Sequence, residues 1–342
     1  MNRDFWKNRK VFITGDRGFK GSWLSLWLNY LGANVCGYGL NISKNSIHLI
    51  NNDIQHNNFC ITDRKNLFKT IEKFQPEIVF HLAAQPLVIE SYKNPYDTYM
   101  TNVIGTLNVL EACKKNSSIK SIVNVTSDKC YENKEIIWPY RENERMGGHD
   151  PYSSSKGCSE LLSNSFRKSY NIPLATTRAG NVIGGGDLSD NRIIPDIIRS
   201  YTKKEKLIIR YPDAIRPWQH VLEPLCGYMI LAENLYKKSE KYCDAWNFGP
   251  EDDDIKSVKY ILDYCKKNIL NDFTWSYEKD SVLHEHKLLK LDINKAKNSL
   301  NWFPKWSIEK CLEKTFDWYI SHINKKDMKK FSIEQIEEYM YE

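Results

Sequence analysis

Two residues with a spacing suited to acid–base chemistry lie near the middle of the chain. Tyr152 and Lys156 form a Tyr-x-x-x-Lys motif at the start of a predicted helix, and a spacing of four places both side chains on one helix face. The phenol of tyrosine ordinarily has a pKa near 10. A neighbouring ammonium group stabilises the phenolate, and this makes the phenol a usable base. The alternative is an exposed aromatic ring beside a solvated lysine.

Three further candidates, Ser127, Asp128 and Lys129, come at the end of a predicted strand over 119–126. The hydroxyl of Ser127 can share a hydrogen bond from the substrate with Tyr152. The acid can protonate a leaving hydroxyl, and the amine, if its pKa is lowered, can remove a proton next to a ketone. An ordinary loop ion pair between Asp128 and Lys129 fits the sequence equally well.

Two arginines and one histidine pair suggest binding chemistry. Arg192 and Arg216 are candidates for a clamp on a diphosphate, because arginine binds phosphate oxygens in a bidentate manner; surface salt bridges are the alternative. The run His284-Glu285-His286 suggests a metal site. It is not a helical H-E-x-x-H motif and no third ligand is evident, so we expect no metal.

A glycine-rich turn near the start of the chain predicts the fold that positions these residues. Gly15, Gly18 and Gly21 are spaced G-x-x-G-x-x-G after a short apolar run, 11–13. Apolar residues then recur at helical spacing: Trp23, Leu24, Leu26, Trp27, Leu28 and Leu31. A strand, a tight turn and a helix begin a βαβ unit that binds the pyrophosphate of a dinucleotide. The alternative is a turn that holds no ligand.

Strands and helices alternate through the first half. Strands are predicted over 34–38, 77–82, 119–126 and 174–178, helices over 63–74, 96–115 and 152–170, and a loop over 130–150. This alternation predicts an α/β fold with a Rossmann-type, doubly wound parallel sheet and functional residues at the carboxyl ends of its strands.

The regular alternation of predicted strands and helices ends after about residue 180, and short elements follow at irregular intervals. We therefore expect a dinucleotide-binding domain over 1–180, joined by a segment near 215–248. A smaller substrate lobe, interleaved with it, is expected mainly over 181–342. The charged end of the chain, 325–342, is predicted to be either a helix or a loosely docked segment.

Composition excludes several classes of protein. The 342 residues carry a net charge of +6, and the lysines are scattered, which favours a solvated surface over nucleic-acid binding. The nine cysteines include no C-x-x-C pair, which argues against a disulfide framework or a structural zinc site. No apolar run approaches the roughly 20 residues needed to span a bilayer, and the first strand follows the N-terminus directly, without a secretory signal. We expect a cytoplasmic enzyme with neither a nucleic-acid nor a membrane partner.

Several longer stretches carry a resemblance to a known family. They are 18–24 (GFKGSWL), 81–88 (HLAAQPLV), 124–131 (NVTSDKCY), 140–143 (YREN), 150–153 (DPYS), 178–187 (RAGNVIGGGD), 215–224 (IRPWQHVLEP) and 246–250 (WNFGP). On these the chain resembles the CDP-glucose 4,6-dehydratases of the extended short-chain dehydrogenase/reductase superfamily, from about residue 5 to 320. Related sugar-nucleotide dehydratases usually carry Thr-Asp-Glu where this chain has Ser127-Asp128-Lys129.

The resemblance implies an NAD-dependent lyase. It would convert CDP-glucose to CDP-4-keto-6-deoxyglucose by oxidation at C4, elimination of water across C5 and C6, and return of the hydride to C6. Tyr152, helped by Ser127 and Lys156, would remove the proton of the 4-hydroxyl. Lys129 would remove the C5 proton, and Asp128 would protonate the departing C6 hydroxyl.

The resemblance also implies two sets of binding residues and an assembly. The cofactor set is Gly15, Arg17, Gly18, Phe19, Gly21, Ala83, Ala84, Gln85, Asn102, Tyr152 and Lys156. The substrate set is Gln85, Ser127, Asn181, Arg192, Arg216, His284 and Glu285. A homodimer or homotetramer, and a part in making deoxysugars for surface polysaccharides, are implied as well.

The chain departs from the family at three cofactor positions. Asp16-Arg17 stands in the glycine turn where the family usually has His-Thr. Asn41 stands where an acid for the adenosine ribose is expected, roughly 20 residues past the glycines. Cys60 replaces an aspartate that usually contacts the adenine. A region between Phe166 and Leu174 is also shorter than usual.

Two other functions on the same fold compete with the dehydratase. One is a sugar-nucleotide 4-epimerase or reductase, which needs no acid–base pair beside Ser127, so Asp128-Lys129 argues against it. The other is a nucleotide-sensing module without catalysis. Such modules usually lack the Tyr-x-x-x-Lys pair, so Tyr152 and Lys156 argue against it.

Overall fold

A seven-stranded parallel sheet forms the centre of the protein. The computed structural model describes residues 2–41, 54–278 and 288–342. The strands in this part of the chain are β1 Lys10–Thr14, β2 Asn34–Gly39, β3 Gln55–Asn58, β4 Ile78–His81, β5 Ser121–Val125, β6 Leu174–Ala179, β7 Val182–Ile183, β8 Leu207–Ile209, β9 Ile215–Arg216, β10 Gln219–His220, β11 Ala245–Phe248, β12 Lys256–Ser257 and β13 Trp275–Tyr277. The sheet order is β11-β6-β5-β4-β1-β2-β3. Read from the other edge, strands β1 to β6 lie in the order β3-β2-β1-β4-β5-β6, which is the Rossmann-type order. The predicted fold class is therefore confirmed.

Helices cover both faces of the sheet. They are α1 Arg3–Trp6, α2 Phe19–Tyr30, α3 Arg64–Phe74, α4 Val88–Lys93, α5 Pro95–Tyr99, α6 Gly105–Lys114, α7 Pro151–Tyr170, α8 Ile193–Lys203, α9 Leu222–Lys237, α10 Ser239–Tyr242, α11 Val258–Asn268, α12 Asn294–Leu300, α13 Ile308–Ile323 and α14 Met328–Tyr341. Every residue of β4 and β5 is buried, as expected of a parallel sheet covered on both sides. The predicted helix over 96–115 is α5 and α6, joined by one π-helical turn, Met100–Ile104.

Local sequence signals fix where the long helices begin. Asp63 caps α3 by accepting a hydrogen bond from the backbone N–H of Asn66 at 3.1 Å. Asp150 caps α7 in the same way through the N–H of Ser153 at 2.9 Å, and Pro151 occupies the first position of that helix. These caps place the start of α7, and with it Tyr152, at a defined point.

The second half of the chain also contributes to the central sheet. β11 pairs in parallel with β6, so that Ala245 lies opposite Thr176. Three pairs of short strands, β7 with β10, β8 with β13 and β9 with β12, form outside it. The division into a cofactor domain and a substrate lobe stays a prediction.

The C-terminal segment is a helix docked on the rest of the protein. The phenol of Tyr339 in α14 donates to the buried carboxylate of Glu223 at 2.7 Å. The indole N–H of Trp27 contacts the sulfur of Met340 at 3.1 Å, and that of Trp306 donates to Glu342 at 2.8 Å. Of the two alternatives for 325–342, the helix is therefore correct.

None of the helices in the described ranges combines the length and the apolar character that crossing a membrane requires.

Candidate active site

The predicted catalytic residues come together at the carboxyl end of β5. Ser127 follows this strand and caps a short 3₁₀ turn, Asp128–Cys130. Lys156 on α7 is buried, and its ammonium donates to the carbonyl of Val125, the last residue of β5, at 3.3 Å. Tyr152, one helical turn earlier, is buried too. The predicted convergence of β5 and α7 is thus present in the structure.

The hydroxyl of Ser127 links the acid to the phenol. It donates to Oδ1 of Asp128 at 3.0 Å and accepts from the N–H of Lys129 at 3.2 Å. It also acts on the phenol of Tyr152 as a hydrogen-bonding group.

Burial shifts the proton affinities of these groups. It raises the pKa of Tyr152 to about 12, although Ser127 opposes the shift, and it lowers the pKa of Lys156 to about 8. It also raises the pKa of Asp128, against the opposing effects of Lys129, Ser127 and Arg216. A raised carboxyl pKa favours the protonated form that a general acid needs.

Asp128 and Lys129 do not form the loop ion pair that the sequence left open. In the ranges that the structure describes, Oδ1 of Asp128 accepts a hydrogen bond from Ser127, and Oδ2 of this carboxyl is buried without a hydrogen bond. Lys129 makes no ion pair within 4 Å there, and its side chain is half-buried. Both groups are therefore available to a substrate.

The glycine turn has the shape that a dinucleotide requires. Gly15 has a φ of 73°, and a Cβ there would lie 2.7 Å from the backbone nitrogen of Ala83; a Cβ on Gly21 would lie 2.0 Å from the carbonyl of Gly15. Gly18 precedes α2 and offers no side-chain cap. The first N–H groups of α2 are thus left for a pyrophosphate.

The remaining predicted cofactor residues surround this turn. Ala83, Ala84 and Gln85 follow β4. Asn102 accepts from the N–H of Gln85 at 2.8 Å and donates to its carbonyl at 3.1 Å. It also donates to Ser155 on α7 at 2.9 Å. Asn102 therefore ties the loop after β4 to the helix that carries Tyr152.

Two more predicted cofactor residues lie in or directly after the turn. The ring of Phe19 packs against Gly184. Arg17 is half-buried and lies within electrostatic reach of Asp16.

The adenosine side of the turn differs from a standard dinucleotide site. The carboxylate of Asp16 points under β2 and contacts Nδ1 of His56 on β3 at 2.7 Å. A Cβ on Gly37 would lie 2.2 Å from this carboxylate, so the glycine of β2 makes room for it. Asn41 is exposed, and Cys60 accepts a hydrogen bond from Thr62 at 3.0 Å. The Asp16–His56 pair was not predicted, because it depends on the pairing of β2 with β3.

The predicted substrate residues lie on the other side of the cluster. Arg192 forms an ion pair with Asp187 at 2.7 Å and interacts electrostatically with Tyr152. Arg216 is buried and acts on Asp128 in the same way. The carbonyl of Asn181 accepts from the N–H of Gln219 at 3.0 Å. His284 and Glu285 lie outside the described residues.

Lys20 is a charged member of the site that the sequence analysis missed. Its ammonium lies 5.9 Å from the ring centroid of Tyr228. Burial and the positive charges of Lys156 and Arg192 lower the pKa of Lys20 to about 7, against the opposing effect of Asp128. The available signal was a lysine in the first turn of an otherwise apolar helix.

A buried ion pair holds the chain segment that carries the catalytic residues after β5. Glu160 on α7 and Arg178 on β6 are in contact at 2.8 Å, and both are almost completely buried. Glu160 also accepts from Thr126 and Thr176, and Arg178 donates to the phenol of Tyr131 at 2.7 Å. The segment from Thr126 to Tyr131 is thus held at both ends.

Within the described ranges, no three His, Cys, Asp or Glu side chains are grouped so as to hold a metal ion.

Comparisons of the sequence with known proteins show the family to which it is related. Residues 12–315 match the sequence profile of a family described as GDP-mannose 4,6 dehydratase. A CDP-glucose 4,6-dehydratase of Salmonella typhimurium (strain LT2) is 47% identical over 99% of this chain and 98% of its own.

Two solved structures match in fold. A UDP-glucose 4-epimerase of Thermotoga maritima, in complex with UDP-glucose, has a TM-score of 0.83 at 23% identity and covers 92% of this chain and 99% of its own. A dTDP-glucose 4,6-dehydratase of Bacillus anthracis, in complex with NAD, has a TM-score of 0.79 at 22% identity, covering 92% and 97%.

Proposed function

The chain belongs to the GDP-mannose 4,6 dehydratase family, and on this premise we propose that it is a CDP-glucose 4,6-dehydratase. The substrate is CDP-glucose, and the products are CDP-4-keto-6-deoxyglucose and water. The 47% identity to a CDP-glucose 4,6-dehydratase over nearly the whole of both chains supports the choice of nucleotide. The observation that carries the chemistry is the cluster of a phenol, an ammonium group, a carboxyl group and an amine at the end of β5.

The cofactor is NAD, held by the uncapped N-terminus of α2 and by the loop after β4. When bound, NAD would supply reversible hydride transfer between C4 and C6 of the hexose, and it would therefore not be consumed. Gly15, Gly18 and Gly21 allow the close approach of the pyrophosphate. Lys156, whose ammonium faces the end of β5, holds the nicotinamide ribose. Residues 1–180 supply most of these groups.

Tyr152 begins the reaction as a base. Its phenolate removes the proton of the 4-hydroxyl while C4 is oxidised to a ketone. Burial alone opposes ionisation of the phenol, so the phenolate depends on the positive charges nearby. Arg192 supplies such a charge to the phenol, and Lys20 interacts in turn with Arg192 and Lys156.

Lys129 and Asp128 then eliminate water. The new ketone acidifies the C5 proton, which Lys129 removes, and the electrons of the C5–H bond form the C5–C6 double bond. Asp128 gives its proton to the C6 hydroxyl, which leaves as water. Lys129 returns its proton to C5 when C6 is reduced.

Charge complementarity supports the placement of the diphosphate. Arg192 and Arg216 face the catalytic cluster from the second half of the chain, where Asn181 also lies, and their fixed guanidinium geometry suits phosphate oxygens. All nine cysteines are free thiols, which supports a reducing compartment such as the cytoplasm. A homodimer or homotetramer, and a downstream use in deoxysugars of surface polysaccharides, belong to the same proposal.

A panel of nucleotide sugars tests the proposal. The purified protein with NAD is incubated separately with CDP-, dTDP-, UDP- and GDP-glucose, and products are analysed by mass spectrometry. We expect a product lighter by one water from CDP-glucose, and a slower reaction or none from the others. A product of unchanged mass with inverted C4 would assign an epimerase instead. A loss of water from another nucleotide only would contradict the choice of CDP.

A further inference from the structure

The proposed reaction leaves two catalytic groups in the wrong protonation state. Tyr152 gains a proton from the 4-hydroxyl and keeps it, because the ketone at C4 remains in the product. Asp128 loses a proton to the departing C6 hydroxyl. Lys129 takes a proton from C5 and returns it to C5, and the two electrons that leave C4 arrive at C6. One proton must therefore pass from Tyr152 to Asp128 in every turnover.

The residue between these two groups is Ser127. Its hydroxyl donates to Oδ1 of Asp128 at 3.0 Å and is the side-chain hydrogen-bonding group that acts on the phenol of Tyr152. The backbone N–H of Lys129 also donates to Oγ of Ser127, at 3.2 Å. A hydroxyl that accepts on one side and donates on the other can carry a proton across itself.

Bulk water has poor access to either end of this path. Tyr152 is 8% exposed, Ser127 8% and Asp128 4%. A nucleotide sugar and a dinucleotide bound over the cluster would cover these residues further. An internal path for the proton avoids the need for exchange with solvent through the bound ligands.

We propose that Ser127 is a proton relay that returns the proton of the 4-hydroxyl from Tyr152 to Asp128. The phenol O–H of Tyr152 breaks as its proton moves to Oγ of Ser127, and the hydroxyl proton of Ser127 moves to Oδ1 of Asp128. Tyr152 is again a phenolate, Ser127 is unchanged and Asp128 is again a carboxylic acid. No oxidant, reductant or further proton donor is needed. This relay rests on the proposed function.

The second carboxyl oxygen of Asp128 is placed for the step in which this residue protonates the C6 hydroxyl. Oδ2 is buried and has no hydrogen-bond partner among the described residues, so it is the oxygen left for the C6 hydroxyl. A half-turn about the Cβ–Cγ bond exchanges the two oxygens, and this torsion is broad and two-fold. The proton received at Oδ1 thereby reaches the substrate.

Rapid mixing of the holoenzyme with CDP-glucose separates the relay from a simple orienting role. In Ser127→Ala, Asp128 starts protonated, so the first turnover proceeds and later ones wait for solvent to restore the acid. We expect the ratio of the first-turnover rate to the steady-state rate to rise by about 10²-fold or more over that of the unmodified protein, from the lower end of the usual range for loss of acid–base help. Ser127→Thr keeps the hydroxyl and should keep the ratio of the unmodified protein.

A second readout identifies the slow step. Increasing the imidazole buffer concentration at fixed pH should accelerate the steady state of Ser127→Ala without changing its first turnover. The relay is wrong if both rates of Ser127→Ala fall by one common factor, if its slow phase ignores the buffer, or if it forms no product in the first turnover. Circular dichroism and NAD titration check that each variant is folded. If the unmodified protein dehydrates no nucleotide-glucose, the proposed function itself has failed.

Discussion

The buried ion pair between Glu160 and Arg178 offers a quantitative test of how the catalytic segment is supported. The carboxylate of Glu160 accepts from Nε of Arg178 at 2.9 Å and from Nη2 at 2.8 Å, besides the hydroxyls of Thr126 and Thr176. Glu160→Gln removes the charge and leaves a buried guanidinium without its counter-ion. Breaking a buried pair in this way costs about 3–5 kcal/mol of unfolding free energy.

An exposed ion pair of similar length provides the control. Arg64 and Glu111 are also 2.8 Å apart, but their side chains are 53% and 32% exposed, so Glu111→Gln should cost less than about 1 kcal/mol. Urea unfolding followed by fluorescence and circular dichroism measures both variants. Arg178→Met and the double variant with Glu160→Gln complete a cycle, in which we expect a coupling of about 2–3 kcal/mol.

The same pair predicts a pH dependence. Burial acts to raise the pKa of Glu160, but Arg178 and the two threonines outweigh it and bring the pKa below its ordinary value. A depressed carboxyl pKa contributes stability above the pKa of the unfolded chain, and this stability is lost as the pH falls through the folded value. Glu160→Gln should lose this part of the acid sensitivity. An additive cycle, or a Glu160→Gln no less stable than Glu111→Gln, would refute the reasoning.

Three other substitutions test separate parts of the molecule. Lys129→Met should still oxidise C4, seen as reduced-nicotinamide absorbance, but lose water elimination, whereas Lys134→Met, at an exposed lysine of the following loop, should complete the reaction like the unmodified protein; complete dehydration by Lys129→Met would remove this lysine from its role. Tyr152→Phe should slow the appearance of that absorbance by roughly 10²–10⁴-fold; normal turnover would reassign the base. Burial raises the pKa of Glu223 to about 7. The contribution of this carboxyl group to the free energy of unfolding is therefore present below the pKa of the unfolded chain and is lost as the pH rises towards 7. Glu223→Gln should therefore flatten the fall in urea midpoint over that range, and an unchanged slope would contradict the assignment.

Features written in short stretches of sequence were the most predictable. The glycine spacing, the Tyr-x-x-x-Lys motif and the start of the helix predicted over 63–74 each involve residues within a few positions of one another, and backbone geometry alone relates them. The alternation of strands and helices then requires β1, β4, β5 and β6 to end at one edge. This is why Ser127 and Tyr152, 25 positions apart, were expected to meet.

Features that depend on distant partners were decided by the tertiary structure. The sequence alone left open whether Asp128 and Lys129 pair with each other, whether the C-terminal segment docks, and where Lys20 points. Asp16 contacts His56 only because β2 and β3 pair, and Tyr339 contacts Glu223 across 116 positions of sequence. Such contacts arise from packing between elements, and no local period or spacing encodes them. The sequence by itself therefore determined the fold class and the chemical groups at hand, whereas only packing decided which of those groups share one buried site and act on each other's charge.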